Sequence, residues 1–184
     1  MIGDGFAAVL AAAQAGDEAS FAALWRDGNP ALLRYLRVLA PDAADDVAAE
    51  TWMQVTRGLG EFTGDESAWR GWLFTVARRR AIDDGRRRSR RPRVSIDEMS
   101  EADWPRAPDA ADAAMENVST AAAIALISAL PRLQAEVILL RVVAGLDNER
   151  VADVLGRSPG AVRVAAHRGL RRLAELVTQA AVTP

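Results

Sequence analysis

The sequence predicts an all-α protein made of two small helical domains, the second of which contains a helix-turn-helix. Apolar residues recur at spacings of three and four along most of the 184 residues, and no stretch alternates as β-strands do. Residues 94–118 interrupt this periodicity with Pro, Asp, Glu and Ala, a composition typical of a flexible linker. We therefore expect one domain at 1–93, an acidic linker at 94–118 and a second domain at 119–184.

The first domain is expected to begin with two apolar helices. A short helix from Phe6 to Gln14 ends near Gly16, and Asp17 or Ser20 can cap the next one. The apolar pattern of this second helix continues past Pro30, where the missing backbone N–H and the ring of proline oppose a regular helix. We therefore expect a kink or a break at that position.

A further helix is predicted to open at Pro41-Asp42, and its acidic side is a candidate functional surface. Asp42, Asp46 and Glu50 lie at i, i+4 and i+8 on its outer side, where like charges cost a helix about a few tenths of a kcal/mol. This pattern fits a solvated face and a docking surface for a basic partner equally well. The opposite, buried stripe consists of Val47, Trp52, Val55 and Leu59.

A glycine-rich loop from Gly58 to Ser67 precedes a helix predicted from Ala68 to Ile82. Nine arginines lie between Arg78 and Arg93, directly after the aromatic residues of this helix. Stacking surfaces beside an electropositive groove are what single-stranded DNA requires. Trp72 is expected to belong to the core, whereas Trp69, nearer the loop, fits exposure to a base and burial equally well.

The second domain is expected to begin near Ser119 with a helix that reaches Ala129. Pro131 then opens another helix, because proline is favoured in the first helical turn. The apolar stripe of this helix should pack under the motif that follows, through Leu133, Val137, Leu140 and Val143.

A helix-turn-helix follows, with sequence signals at each of its ends. Asp147 can cap a helix that runs to about Leu155, and Gly156 supplies the left-handed residue that ends it. Ser158-Pro159 opens the next helix, with serine as the cap and proline at the first helical position. The sequence therefore predicts a tight turn between two helices.

The second helix of this motif is expected to carry a basic outer face. Arg163, His167 and Arg171 fall on that face. Such a face on the second helix of the pair indicates DNA binding, although the same pattern also occurs on ordinary core helices as a solvated face. The side expected to face the core consists of Val162, Ala166, Leu170, Leu173 and Val177.

The composition restricts the chemistry open to this chain. Cysteine is absent, which excludes disulfides and thiol catalysis, and all 23 basic side chains are arginine, so phosphate contacts must use guanidinium groups. The single histidine, His167, has no acidic neighbour in the sequence, and no metal-ligand spacing is present. We expect no catalytic residue, metal or cofactor. Without a signal sequence or a long apolar run, we expect a cytoplasmic protein with no membrane insertion.

Three segments resemble, in this order, the extracytoplasmic-function class of bacterial RNA polymerase sigma factors in the sigma-70 family. The segment at Asp45 to Phe62, DDVAAETWMQVTRGLGEF, is similar to the part that docks on the polymerase clamp helices. The segment at Trp69 to Arg88, WRGWLFTVARRRAIDDGRRR, is similar to the part that melts and reads the −10 element. The segment at Leu130 to Leu173 is similar to the domain that reads the −35 element.

The resemblance implies roles for individual residues. Contact with the polymerase would involve Asp45, Asp46 and Glu50. Capture of the −10 strand, including a flipped base, would involve Phe62, Gly64, Asp65, Trp69, Arg78, Arg79, Arg80, Arg86 and Arg87. At the −35 element, base edges would be reached by Arg163 and His167, and phosphates by Arg157, Ser158, Arg168 and Arg171.

The implied partners are RNA polymerase core, promoter DNA as a −35 duplex and a −10 single strand, and an anti-sigma factor. The alternative is a one-component helix-turn-helix regulator whose N-terminal half senses a ligand, although such a sensor has no use for an arginine block. In the free protein, the acidic segment from Asp97 to Glu116 is expected to compete with DNA for these arginines.

Two positions depart from the family pattern. Arg150 stands where an acidic residue is common, so only the Asp147 half of a reciprocal capping box remains. Ala165-Ala166 places short side chains at the centre of the recognition helix, so base reading is expected to depend on few residues.

Overall fold

The computed structural model describes residues 1–90 and 120–182, and every regular element within these ranges is helical. The predicted all-α class is therefore confirmed, while the linker predicted at 94–118 lies outside the described residues. The helices are α1 (Phe6–Gln14), α2 (Glu18–Leu39), α3 (Ala44–Gly58), α4 (Glu66–Arg90), α5 (120–128), α6 (Arg132–Ile138), α7 (Asn148–Leu155) and α8 (Pro159–Val182). Short 3₁₀ turns cover Gly3–Gly5, Pro41–Ala43 and Leu59–Glu61, and a π-helical turn covers Leu139–Val143.

Helix α2 runs without interruption through Pro30, so of the two predicted outcomes, a kink or a break, the break is wrong. The helix begins where expected, because the Asp17 carboxylate accepts a hydrogen bond from the Ser20 amide at 2.7 Å. Leu24 and Leu32, before and after the proline, are both fully buried. We attribute the continuity of α2 to this packing on both sides, which outweighs the hydrogen bond that proline cannot make.

Helices α2, α3 and α4 form the core of the N-terminal half. The stripe predicted for α3 is buried throughout: Val47, Trp52, Val55 and Leu59. Gly28 of α2 lets the helices approach closely, since a Cβ at this position would lie 3.0 Å from Leu73 Cδ2 and 3.3 Å from the Trp52 ring. The Trp52 indole also donates a 3.0 Å hydrogen bond to Asn29, which fixes α3 against α2.

The two halves of the chain are in direct contact. Helix α7 packs on α4, and the π-helical turn after α6 packs on α2, so one apolar core includes residues of both halves. Val137 and Leu140 are buried as predicted, but Leu133 is 38% exposed because the buried part of α6 begins only at Ala135. The sequence predicted two separate domains, and the structure adds an interface between them.

The apolar stripe predicted for α8 is only partly correct. Val162 and Ala166 are buried as predicted, but Leu170 and Val177 are 49% and 50% exposed, whereas Ala165 and Gly169 are buried. A Cβ on Gly169 would lie 2.8 Å from Ile138 Cδ1. Helix α8 thus approaches α6 closely at a residue that has no side chain, and a hydropathy pattern does not reveal such a position.

Candidate polymerase and nucleic-acid interfaces

The helix-turn-helix is formed by the capping residues that the sequence indicated. Asp147 Oδ1 accepts a 2.7 Å hydrogen bond from the Arg150 amide, and Gly156 ends α7 in the left-handed conformation at φ 62°. The Ser158 hydroxyl accepts a 3.2 Å hydrogen bond from the Ala161 amide at the start of α8. These caps satisfy backbone groups that would otherwise lack partners, and they mark the end of α7 and the start of α8.

The outer face of α8 carries the basic residues that the sequence placed there. The side chains predicted to contact the −35 element are all exposed: Arg157, Ser158, Arg163, His167, Arg168 and Arg171. Arg171 also lies 3.7 Å from the Glu175 carboxylate one turn later. Ala165 and Ala166 are buried, so they belong to the core contact of α8 and not to the centre of its outer face.

Val164 is an exposed apolar residue on this face that the sequence analysis did not single out. Its side chain is half exposed, beside Arg163 and in line with Ala161 and Arg168. The i, i+3, i+7 spacing of Ala161, Val164 and Arg168 was the available signal, because such residues share one side of a helix. The outer face therefore offers an apolar contact as well as charged ones.

The aromatic residues around the 59–65 loop form one cluster. The Phe62 ring stacks on Trp72 at a centroid distance of 5.2 Å and meets Trp69 edge to face at 5.5 Å. Trp69 is only 1% exposed, in part because Phe6 of α1 covers it at 6.5 Å. The alternative that Trp69 faces a base is therefore wrong, and Trp72, assigned to the core from sequence, is the tryptophan that is only partly buried.

Gly64 and Asp65 give this loop its shape. Gly64 adopts φ 151°, which side chains rarely tolerate, and a Cβ there would lie 2.8 Å from Ala68 Cβ. Asp65 Oδ1 accepts a 2.7 Å hydrogen bond from the Ala68 amide and so caps α4. One oxygen of the Asp65 carboxylate is therefore already occupied by a local structural contact.

Arg78, predicted to hold the melted strand, is paired across the interface between the two halves. Its Nε lies 2.7 Å from Glu136 Oε2, and Arg132 Nε lies 2.9 Å from Glu136 Oε1. The Glu136 side chain is 3% exposed. The pKa of Tyr35 is raised, mainly because its hydroxyl is buried and to a lesser degree because the Glu136 charge lies nearby. The Tyr35 hydroxyl has no hydrogen-bond partner among the described residues. A polar cluster thus lies at the contact between the halves.

The arginines of the C-terminal part of α4 face the acidic residues of α3. Glu50 Oε2 lies 3.5 Å from both Arg80 and Arg87, so this residue of the predicted polymerase contact has ion-pair partners within the chain. In the same region, Arg86 lies 3.7 Å from Asp83. Arg79 is exposed and has no ion pair within residues 1–90 and 120–182.

Asp45 and Asp46 remain as the acidic surface at the start of α3. Both are exposed in its first helical turn, and neither makes an ion pair within the part of the chain that is described. Negative charge is favourable there because it opposes the positive end of the helix dipole. Asp45 and Asp46 are thus the two residues of the predicted polymerase contact that make no ion pair among the described residues.

Arg70 is buried between the halves and was not singled out in the sequence. Its Nη2 lies 2.6 Å from Asp27, and its Nη1 donates a 3.2 Å hydrogen bond to the carbonyl of Ala144. These partners are 43 and 74 residues away in the sequence. No local pattern could have shown this contact.

A basic outer face on the second helix of a helix-turn-helix is typical of a DNA-binding protein. Two family matches identify the kind of DNA-binding protein more closely. The family of sigma-70 region 2 matches residues 24–91, and that of sigma-70 region 4 matches residues 120–173.

Relatives of known class align with most of the chain. The ECF RNA polymerase sigma factor SigD of Mycobacterium tuberculosis is 31% identical over 186 residues, which cover 98% of this chain and 87% of SigD. ShbA of Streptomyces griseus is 35% identical, covering 82% of this chain and 84% of ShbA. BldN of Streptomyces coelicolor is 32% identical over 90% of this chain, which spans only 63% of the length of BldN. The chain belongs to the ECF sigma factors of the sigma-70 family.

Solved structures share the fold. CnrH, in complex with the cytosolic domain of CnrY, matches with a TM-score of 0.65 at 22% identity, over 96% of this chain and 99% of CnrH. The sigma factor RpoE from Bartonella quintana, in complex with the anti-sigma factor NepR, matches with a TM-score of 0.63 at 24% identity, over 89% and 98% of the two chains. Within the described residues, no helix combines the length and apolar character needed to cross a membrane.

Proposed function

We propose that this sigma factor directs core RNA polymerase to promoters through two separate DNA contacts. The helix-turn-helix of α7 and α8 reads the −35 element as duplex, and the half built from α3 and α4 captures the melted −10 strand. The observation that carries this proposal is the exposed basic face at the start of α8, which follows directly after the turn of the helix-turn-helix. The one-component regulator alternative receives no support, because both sigma regions match.

At the −35 element, the first turns of α8 are the proposed reading surface. In helix-turn-helix proteins the N-terminal residues of the second helix contact base edges in the major groove. Arg163 can form a bidentate pair with guanine, and Val164 can contact a thymine methyl group. Arg157, Arg168 and Arg171 are the proposed phosphate contacts, which position the protein without specifying the sequence.

At the −10 element, the proposed strand contacts are the partly exposed Phe62–Trp72 pair and the arginines of α4. Base stacking on aromatic rings contributes about 1–3 kcal/mol per base, and exposed guanidinium groups such as Arg79 attract the backbone. Trp69 takes part indirectly, as the buried support of Phe62. Extruding a base costs about a few kcal/mol, which the loop at Gly64 must offset.

Asp45 and Asp46 are the proposed polymerase contact. They are exposed carboxylates on one helical turn, and a basic partner surface would satisfy them.

We also propose that an anti-sigma factor restrains this chain, a proposal supported by the RpoE–NepR complex, whose sigma factor has the same fold. The proposed place of action is the cytoplasm, where the polymerase is found, and the proposed role involves no catalytic residue.

The direct test is run-off transcription with core polymerase on a genomic promoter library, followed by substitution of Arg163. Arg163→Ala is expected to weaken binding of the preferred −35 duplex by about 1–3 kcal/mol and to relax sequence preference at one base pair. Arg171→Ala, the matched control on the same face, should weaken all sequences alike. Equal losses of the Arg163→Ala variant on preferred and scrambled duplexes would show that Arg163 contacts phosphate only.

Glu136 is expected to compete with DNA for Arg78 in the free protein. Glu136→Gln removes the buried charge but keeps the side-chain shape, so binding of single-stranded −10 DNA without core should tighten about fivefold, the effect of roughly 1 kcal/mol. Fluorescence anisotropy measures this change, with the exposed Glu149→Gln as the charge-matched control. Unchanged affinity would mean that Glu136 does not weaken DNA binding by the free protein. The acidic segment from Asp97 to Glu116, which lies outside the described residues, would then remain as the predicted intramolecular competitor.

A further inference from the structure

The N-terminal segment holds the 59–65 loop at its first end. Gln14, the last residue of α1, donates through Nε2 to the carbonyl of Leu59 at 2.9 Å and to the carbonyl of Phe62 at 2.8 Å. Helix α3 ends at Gly58, and the Leu59 carbonyl also accepts a 3.1 Å hydrogen bond from the Phe62 amide, which closes the 3₁₀ turn. One side-chain amide thus binds the carbonyl of the first residue of the 3₁₀ turn and the carbonyl of the residue that follows the turn.

The same segment also holds the loop at its other end. The amides of Ile2 and Gly3 donate to the two carboxylate oxygens of Glu66 at 2.9 Å and 3.0 Å. Glu66 is the first residue of α4, and its carboxylate lies 3.7 Å from Arg70 as well. The loop is therefore fastened before and after the positions proposed to receive a base.

The shape of the loop depends on where the Phe62 backbone lies. The Phe62 ring is nearly parallel to Trp72, with an interplanar angle of 21°, and its Cζ would be 3.2 Å from a Cβ on Gly64. A shift of the Phe62 carbonyl would therefore move both the stacking ring and the Gly64 turn. Gln14 also lines a cavity of about 290 Å³ together with Leu59 and Gly60, at the first end of the loop.

We infer that Gln14 is a positioning residue for −10 base recognition, because its amide fixes the loop in which the flipped base is proposed to bind. Gln14 lies outside the residues 24–91 that match sigma-70 region 2, so the family match gives it no role. The inference rests on the proposed function. It predicts that loss of the amide donor affects discrimination between −10 bases more than it affects the overall stability of the fold.

The experiment uses the full chain with core polymerase and three substitutions that differ in hydrogen bonding. Gln14→Met keeps the length without a donor, Gln14→Glu replaces the donor by an acceptor, and Gln14→Lys restores N–H donors. The readout is the ratio of affinities for single-stranded −10 DNA with the preferred base and with each other base at the flipped position. This ratio cancels any general attraction that the added lysine charge exerts on DNA.

Gln14→Met and Gln14→Glu are expected to reduce this ratio about five- to tenfold, while Gln14→Lys recovers most of it and −35 duplex binding stays unchanged. Leu10→Ala is the structural control, since Leu10 is buried in the same helix but does not contact the loop carbonyls through hydrogen bonds. It should lower the midpoint of thermal unfolding without changing the ratio. An unchanged ratio in Gln14→Met overturns the inference.

Phe62→Ala separates failure of this inference from failure of the proposed function. If Phe62→Ala abolishes base discrimination and Gln14→Met does not, the loop captures a base without help from Gln14, and only the inference is overturned. If neither substitution changes discrimination, the loop does not capture a base, and the proposed −10 role is overturned together with the inference.

Discussion

Reversing Asp45 and Asp46 to arginine is expected to weaken binding of core RNA polymerase by at least about 100-fold. Both carboxylates are exposed and have no ion-pair partner among the described residues, so their charge is available to a basic surface. Disrupting close interfacial charge pairs costs about 2–5 kcal/mol, and reversal adds repulsion. Helicity should change little, because the unfavourable contact with the helix dipole costs only about 0.3–1 kcal/mol for each charge. Titration of labelled protein with core measures the affinity, and circular dichroism measures the helicity.

The matched control reverses Asp4 and Glu18, two exposed acids of the same half. It changes the net charge by the same amount and should leave core binding intact. Glu50→Ala should also affect core binding less than the Asp45 and Asp46 reversal, since Glu50 faces Arg80 and Arg87 within the chain. Equal weakening by the control reversal would mean that overall charge, and not the start of α3, drives association.

Trp69→Ala is expected to lower the free energy of unfolding by about 3–5 kcal/mol. The indole is almost fully buried between Phe6, Phe62 and Trp72, and truncating a buried tryptophan removes its contacts and leaves a cavity. This is a large part of the roughly 5–15 kcal/mol that holds an ordinary domain together. Urea denaturation followed by circular dichroism measures the change.

Trp25→Ala is the matched control, because Trp25 is 42% exposed and loses less buried surface on truncation. Trp25→Ala should lower the free energy of unfolding clearly less than Trp69→Ala does. A Trp69→Ala variant with parental stability and no binding of single-stranded −10 DNA would restore the direct stacking role that the burial of Trp69 argues against.

Local features of this protein could be predicted from the sequence alone. The caps at Asp147, Gly156 and Ser158 form between residues only a few positions apart, so residue type and spacing are sufficient to identify them. The buried stripe of α3 and the exposed face with Arg163 follow from helical periodicity in the same way. These features indicated the helix-turn-helix and its exposed basic side.

Periodicity was not sufficient where a distant segment decides what covers a helix face. It could not show that Phe6 covers Trp69, or that the close approach of α8 to α6 occurs at Gly169. It also could not show that packing on both sides keeps α2 continuous at Pro30. The pattern of a helix identifies its apolar side but not its neighbour, so these outcomes required the tertiary structure.

The sequence by itself determined the helical class, the helix-turn-helix and the charged surfaces, because each depends on residues within a few turns of one another. Only the tertiary structure decided which of those charged residues form ion pairs with each other. Glu50 pairs with arginines 30 and more positions away, and Arg78 pairs with Glu136 at a separation of 58 residues. Gln14 likewise reaches carbonyls 45 and 48 residues further along. Such contacts follow from how the helices pack, and helix packing is a property of the whole chain.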